Sequence, residues 1–216
     1  MNGRTILEQR QPDVKIEPLQ ESQLACAASL LFQSYHDDPL FMEIYNAEKT
    51  DYDKRLRNAI RQELTVFWQA KEPAIGLFVD DQLLGVACVV CPDFGLNVGR
   101  FWHWRLKMLL TAGFVSTRQM IEKEDKLKAA MPVPRYHMLA YLAIHPNHQH
   151  HGLGNILIKA VDDIVEEEAT SGGIGVYVTL SKYLDFFTSD NYETVTDVSV
   201  GYVHGQLLFR PQQGGA

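Results

Sequence analysis

Two periodicities alternate along this chain. Residues 14–19 alternate like a short strand, and from Glu21 to Ser34 the apolar Leu24, Ala27, Ala28, Leu31 and Phe32 recur at helical spacing. Asp37-Asp38-Pro39 is expected to stop that helix, because a residue before proline disfavours the helical region. Leu56, Ile60, Leu64 and Phe67 form one stripe of a second helix over 52–70. Segments 74–79 and 83–90 flank the polar Asp80-Asp81-Gln82, the pattern of a β-hairpin. Helices are expected over 97–111 and 118–130, and a strand over 136–144 ends at His145-Pro146. A helix over 154–170 turns Ile156, Leu157, Ala160, Val161 and Ile164 inward, and 175–180 is an apolar strand. Segments 192–200 and 203–209 close the sheet, with Gly201 or Gly205 in the turn. The order predicts a mixed α/β fold whose clearest element is a central β-α-β unit.

No repeat, low-complexity tract or Pro/Gly/Ser linker divides the 216 residues, so one domain is expected, ordered over about 14–210 with frayed ends at 1–12 and 211–216. Twenty Lys+Arg against 27 Asp+Glu leave a formal charge of −7, which argues against broad nucleic-acid binding. Three cysteines exclude a disulfide scaffold and suit a reducing compartment, so a cytoplasmic location is expected. No apolar run approaches a membrane span, and the first 12 residues are too polar for a signal peptide.

The chemistry concentrates where the strand over 136–144 meets the helix after it. A polar loop there carries two glycines, Gly152 and Gly154, directly before an amphipathic helix. Glycines let the backbone approach a ligand closely, and a helix start offers unpaired N–H donors at the positive end of its dipole. That combination suits a phosphate group, and simple turn geometry accounts for the same pattern. Neither common nucleotide fingerprint is present: there is no G-x-x-x-x-G-K-[ST], and the dinucleotide motif lacks its third glycine.

Gln149-His150-His151-Gly152-Leu153-Gly154 resembles the Q/R-x-x-G-x-G/A signature of the GNAT superfamily of acetyl-CoA-dependent N-acetyltransferases. Leu142-Ala143-Ile144-His145-Pro146 looks like that family's strand before the loop, and the element order is similar over nearly the whole chain. Within the superfamily, 136–154 and the stretch from Leu184-Asp185-Phe186-Phe187 to 192–200 look most like the puromycin N-acetyltransferase branch. The resemblance implies a single, mostly antiparallel twisted sheet flanked by helices, with a helical insertion over about 96–131. It also implies acetyl-CoA as co-substrate and no metal. The backbone of Leu142, Ala143 and Ile144 would meet the pantetheine arm, and Gln149, His150, His151, Gly152, Leu153, Gly154 and Asn155 would hold the pyrophosphate. Tyr183 and Phe186 fall where the family packs a short helix against the pantetheine.

The sequence departs from the family at its proton-handling positions. The usual tyrosine acid is replaced by Phe187, and the strand positions that often carry Glu or His are Met138 and Ala140. Asp38 is the preferred amine anchor or proton acceptor, and Tyr183 a substitute acid, against a plain solvated helix terminus at Asp37-Asp38-Pro39. The expected activity is acetyl transfer to the amine of a small molecule, by a monomer or homodimer. A catalytically silent acyl-CoA sensor and a protein N-terminal or lysine acetyltransferase are the alternatives.

Three other clusters have plainer readings. His145, His148, His150 and His151 lack the carboxylate or cysteine of a zinc site. Cys88 and Cys91, three apart on a strand, face opposite sides and are expected as two buried apolar residues. Arg100-Phe101-Trp102-His103-Trp104-Arg105-Leu106-Lys107 reads as an amphipathic helix or a substrate wall.

Overall fold

The computed structural model describes residues 12–92 and 114–212. The helix expected over 97–111 and the aromatic-basic run from Arg100 to Lys107 lie outside them.

Strand β1 (Val14–Pro18) leads through a 3-10 turn into α1 (Leu24–Tyr35). Helix α2 (Pro39–Tyr45) starts where a stop was expected. Proline serves the first turn of a helix well, since its missing N–H has no intrahelical partner there. Asp38 supplies the cap: its Oδ1 accepts the Leu40 N–H at 2.9 Å. The helix over 52–70 appears as α3 (Tyr52–Ala70), followed by β2 (Ala74–Val79) and β3 (Gln82–Val90). Helix α4 (Phe114–Ala130) precedes β4 (His137–Ile144), α5 (Leu153–Glu167) and β5 (Gly173–Val178). A short α6 (Leu184–Thr188) leads to β6 (Glu193–Val200) and β7 (Val203–Pro211), with Gly201 in their turn. Pro211, expected in a frayed end, pairs with Gly173 inside β7.

These strands form one open seven-stranded sheet in the order β1-β2-β3-β4-β5-β7-β6. Only β4 and β5 run parallel, as a crossover through α5 requires. One face carries α1, α2 and α3, whose Leu31, Tyr45, Leu56 and Ile60 share a core with Tyr141 and Leu207. The other face is closed by α5 and α6 through Leu157, Val161 and Phe187.

Two local features shape the sheet around β4. Between β4 and β5 only three residue pairs are in register: His137–Ile174, Met138–Gly175 and Leu139–Val176. Beyond Leu139 the two strands part, while β4 stays paired with β3 as far as Ile144. The second feature is a bulge. Cys88 pairs with Tyr141 but Val89 with Leu139, leaving Ala140 as the extra residue. Met138, Tyr141 and Ala143 therefore pack toward α1–α3, whereas Leu139, Leu142 and Ile144 pack toward α5. Strict alternation, which would group Met138 with Ala140, does not hold.

Cys88 is buried within β3, but Cys91 is only partly buried and lies past the strand's end. The expectation of two buried strand cysteines is corrected at Cys91. No described helix is long and apolar enough to cross a membrane.

Candidate functional site

The parting of β4 from β5 opens a cavity of about 1000 Å³. It is lined by Leu142, Ile144, Gln149, Gly152, Asn155, Tyr183 and Phe186, all from the set that the sequence singled out. Ala143, His150 and Gly154 line it too. His151 and Leu153 are in the same loop and helix start but do not line the cavity. Asp38, Phe41, Glu63, Phe67, Met120 and Leu127 line it as well.

The loop has the backbone that its glycines predicted. Gly152 sits at φ +80 as the residue capping α5, with no side chain closing the helix start. A Cβ at Gly152 would meet nothing within 4 Å, so packing does not explain the glycine; the left-handed backbone does. A Cβ at Gly154 would come within 3.1 Å of the Phe186 ring, so this glycine lets α6 close on α5. His150 is also left-handed, at φ +64. The result is a helix start without a side-chain cap whose Gly152, Gly154 and Asn155 line the cavity, as Lys182 does.

The edge of β4 freed from β5 is held by the chain's own side chains. The Tyr35 hydroxyl accepts the Leu142 N–H at 3.0 Å and donates to the Leu142 carbonyl at 3.1 Å. Gln149 Nε2 donates to the Ile144 carbonyl at 3.1 Å. Burial pushes the Tyr35 phenol well above its ordinary range, so it stays a protonated donor.

Asp38 is buried, which corrects the solvated-terminus reading for this residue, while Asp37 is exposed. Its Oδ2 accepts the Thr179 hydroxyl at 2.6 Å, so the carboxylate ties the start of α2 to the end of β5. Burial pushes the Asp38 pKa up, and the Thr179 and backbone donors oppose that shift. Tyr183 is half-exposed, with Lys182 Nζ 4.9 Å from its ring centre.

Three residues that periodicity and motif did not single out, Glu63, Tyr141 and Tyr35, also line the cavity. Glu63, on α3, is only 8% exposed, and its Oε2 accepts the Tyr141 hydroxyl. Burial pushes its carboxyl up to about 7, Lys123 pulling it down and Glu124 adding to the rise. The Tyr35 ring packs edge-on against Tyr141 at 5.4 Å and Phe41 at 5.3 Å, walling this corner with aromatics. The signal for Glu63 was in the sequence: with Leu56, Ala59, Ile60, Leu64 and Phe67 it occupies the buried stripe of α3, a carboxylate among apolar positions.

His137 is buried and hydrogen-bonded through Nδ1 to Ser171 Oγ at 2.8 Å, away from the cavity wall. Among the described residues no group of three or more His, Cys, Asp or Glu is placed to hold a metal ion.

No family model matches the sequence, and no curated protein does. Solved structures do match it. A protein described as histone acetyltransferase HPA2 and related acetyltransferase, from Corynebacterium glutamicum, superposes with a TM-score of 0.69 at 13% identity, over 92% of this chain and 96% of that one. The mosquito arylalkylamine N-acetyltransferase like 5b gives 0.60 at 10% identity, over 92% and 100%. The PaiA N-acetyltransferase of Thermoplasma acidophilum, in complex with coenzyme A, gives 0.52 at 14%, over 92% and 99%. At such identities the likeness is one of fold: a single open mixed sheet flanked by helices, as in the GNAT acetyltransferases.

Proposed function

We propose that this protein transfers an acetyl group from acetyl-CoA directly to the amine of a small molecule. One observation carries the reading. The loop and strand edge suited to the cofactor, and a carboxylate-bearing aromatic corner suited to an amine, line a single cavity.

The residues present fit acetyl-CoA. The uncapped α5 terminus and the left-handed Gly152 offer backbone N–H groups to a pyrophosphate, and Lys182 and His150 add polar neighbours. A pantetheine arm carries amides that need both donors and acceptors. Leu142 and Ile144 present both along the free edge, where Tyr35 and Gln149 now meet them. Those two side chains exchange their contacts for the arm's amides when it binds. Of these groups the Leu142 N–H would be kept for the thioester oxygen, as the donor that stabilises its developing charge, leaving the Leu142 and Ile144 carbonyls to the arm's amides. Holding both reactants in one cavity removes the entropic cost of their encounter.

The fold shared with N-acetyltransferases, one of them in complex with coenzyme A, supports acetyl transfer in general. An enclosed corner walled by Tyr35, Phe41, Phe67 and Tyr141 favours a small amine with an apolar body over a protein chain. Asp38, with both oxygens engaged, holds α2 and β5 in place beside the acceptor. Placement in the puromycin N-acetyltransferase branch rests on sequence segments alone, as does the extent of the single domain over 1–216.

A calorimetric titration with coenzyme A, followed by a thiol-release screen over small amines and peptides, tests the reading. Sub-millimolar binding and thiol release with an amine are expected. Binding without release from any acceptor fits a silent sensor, and acetylated peptide with inert amines fits a protein acceptor; absence of binding rejects all three.

A further inference from the structure

Two carboxylates of the described residues are less than a tenth exposed, Asp38 and Glu63, and they differ in what their oxygens do. Asp38 has a donor on each oxygen, Leu40 N–H and Thr179 hydroxyl. Glu63 has one hydrogen-bond partner among the described residues, the Tyr141 hydroxyl on Oε2. It also lines the cavity, beside Tyr35, Phe41 and Phe67. A buried carboxylate on a cavity wall, with one oxygen bonded to none of the described residues, is shaped to receive a cation.

We propose that Glu63 receives the ammonium of the acceptor and takes its proton, with Tyr141 as the positioning residue that orients the carboxylate. The inference rests on the acetyl-transfer reading and names its proton acceptor. An acceptor R–NH3+ gives one proton to Glu63, and the freed lone pair forms the C–N bond at the thioester carbonyl carbon. Collapse of the tetrahedral adduct breaks the C–S bond, and sulfur leaves with the bonding pair. The thiolate takes the second proton shed by nitrogen, and Glu63 returns the first to solvent. The sum is an amide, a thiol and one proton, with no oxidant or further reactant.

The surroundings tune this role. Burial holds the carboxyl near neutrality, where a base is half ready at working pH. Tyr141 on β4 donates to it. Lys123 and Glu124 on α4 act on its charge with opposite signs. Cys88 on β3 and Tyr45 on α2 feel its charge, and both are pushed upward by burial and so stay neutral. The position solves the gap left by Met138 and Ala140: the base comes from α3 and reaches the same face through Tyr141, which the bulge at Ala140 turns toward it.

The test uses the full chain with acetyl-CoA and two probes, phenethylamine and cyclohexylamine, and reads thiol release from about pH 5.5 to about pH 9. Wild-type kcat/KM is expected to rise with pH and level off above about 7. Glu63→Gln keeps the shape and is expected to lose about 10²-fold in kcat together with the pH limb. Tyr141→Phe removes a donor to the charged form, so its limb persists with the midpoint moved upward. Should Glu63→Gln fail to fold, that midpoint decides: an upward move supports the role and an unmoved one overturns it. Wild-type-like kcat with an intact limb in Glu63→Gln overturns it directly, while leaving acetyl transfer standing. If the wild type releases no thiol, the transfer reading fails instead. Phenethylammonium binding by calorimetry then decides for Glu63: a tenfold loss in Glu63→Gln supports it, and equal affinity overturns it.

Discussion

Replacing Glu63 by glutamine separates the energetics of this carboxyl from any assumption about turnover. In the folded protein its pKa is raised from 4.5 to about 7, because burial penalises the charged form. Below the lower value both folded and unfolded chains hold the proton, and the group costs nothing. Between the two values the folded chain holds a proton that the unfolded chain has released, so stability falls as pH rises. At about 1.4 kcal/mol per tenfold, the gap from 4.5 to about 7 amounts to ~3 kcal/mol. Most of that loss falls between about pH 5 and about pH 8. Glutamine fills the same space and has no proton to lose. Urea unfolding of both proteins across this range should therefore show wild-type stability falling relative to Glu63→Gln as pH rises. A difference that stays constant with pH would mean that Glu63 is as well solvated folded as unfolded, and would refute this account of its burial.

Three other substitutions probe the rest of the site and the ion pair that joins β7 to α5. Gly152→Ala forces a side chain onto φ +80 without a clash, so it should cost ~1 kcal/mol in thermal unfolding and weaken coenzyme A binding more than tenfold. Unchanged affinity would remove the loop from the cofactor site. Tyr35→Phe deletes both contacts to Leu142 and should lower stability by about 1 kcal/mol while tightening coenzyme A binding roughly fivefold, as measured by calorimetry. Arg210→Met strips the largely buried Asp162 of its ion-pair partner and should destabilise by ~3 kcal/mol at about pH 8, read by urea unfolding. The deficit should shrink at about pH 5, because burial already raises Asp162 to about 6 and protonation removes the stranded charge.

The parts of this molecule legible in its sequence were those governed by local periodicity. Helix α3 spans the predicted residues, and the strand, glycine loop and helix around Gly152 form close to their expected bounds, but the helix ends at Glu167 rather than 170 and Ile156, expected inward, is exposed. Helix α2 is not legible in the sequence because Asp-Pro both disfavours helix before proline and starts one after it. Only the burial of Leu40, Phe41 and Ile44, a tertiary matter, decides between them. The facing of the β4 side chains was hidden for a similar reason. An extra residue at Ala140 changes which of them share a face, and a bulge has no signature in one sequence. Tyr35 meets Leu142 across 107 positions of chain and Glu63 meets Tyr141 across 78, so spacing carries no trace of either contact.

The three-pair seam between β4 and β5 bears on how the folded protein opens. Strand β5 is anchored to β7 and β7 to β6, each by a longer ladder than the one joining β5 to β4. Backbone opening therefore concentrates at this seam, and the two flanking ladders respond as separate cooperative units. A molecule lying across the seam ties those units together, in proportion to its concentration over its dissociation constant. Amide hydrogen exchange along β4 and β5 should thus slow on occupancy even at residues that no ligand touches, making the sheet its own reporter of binding.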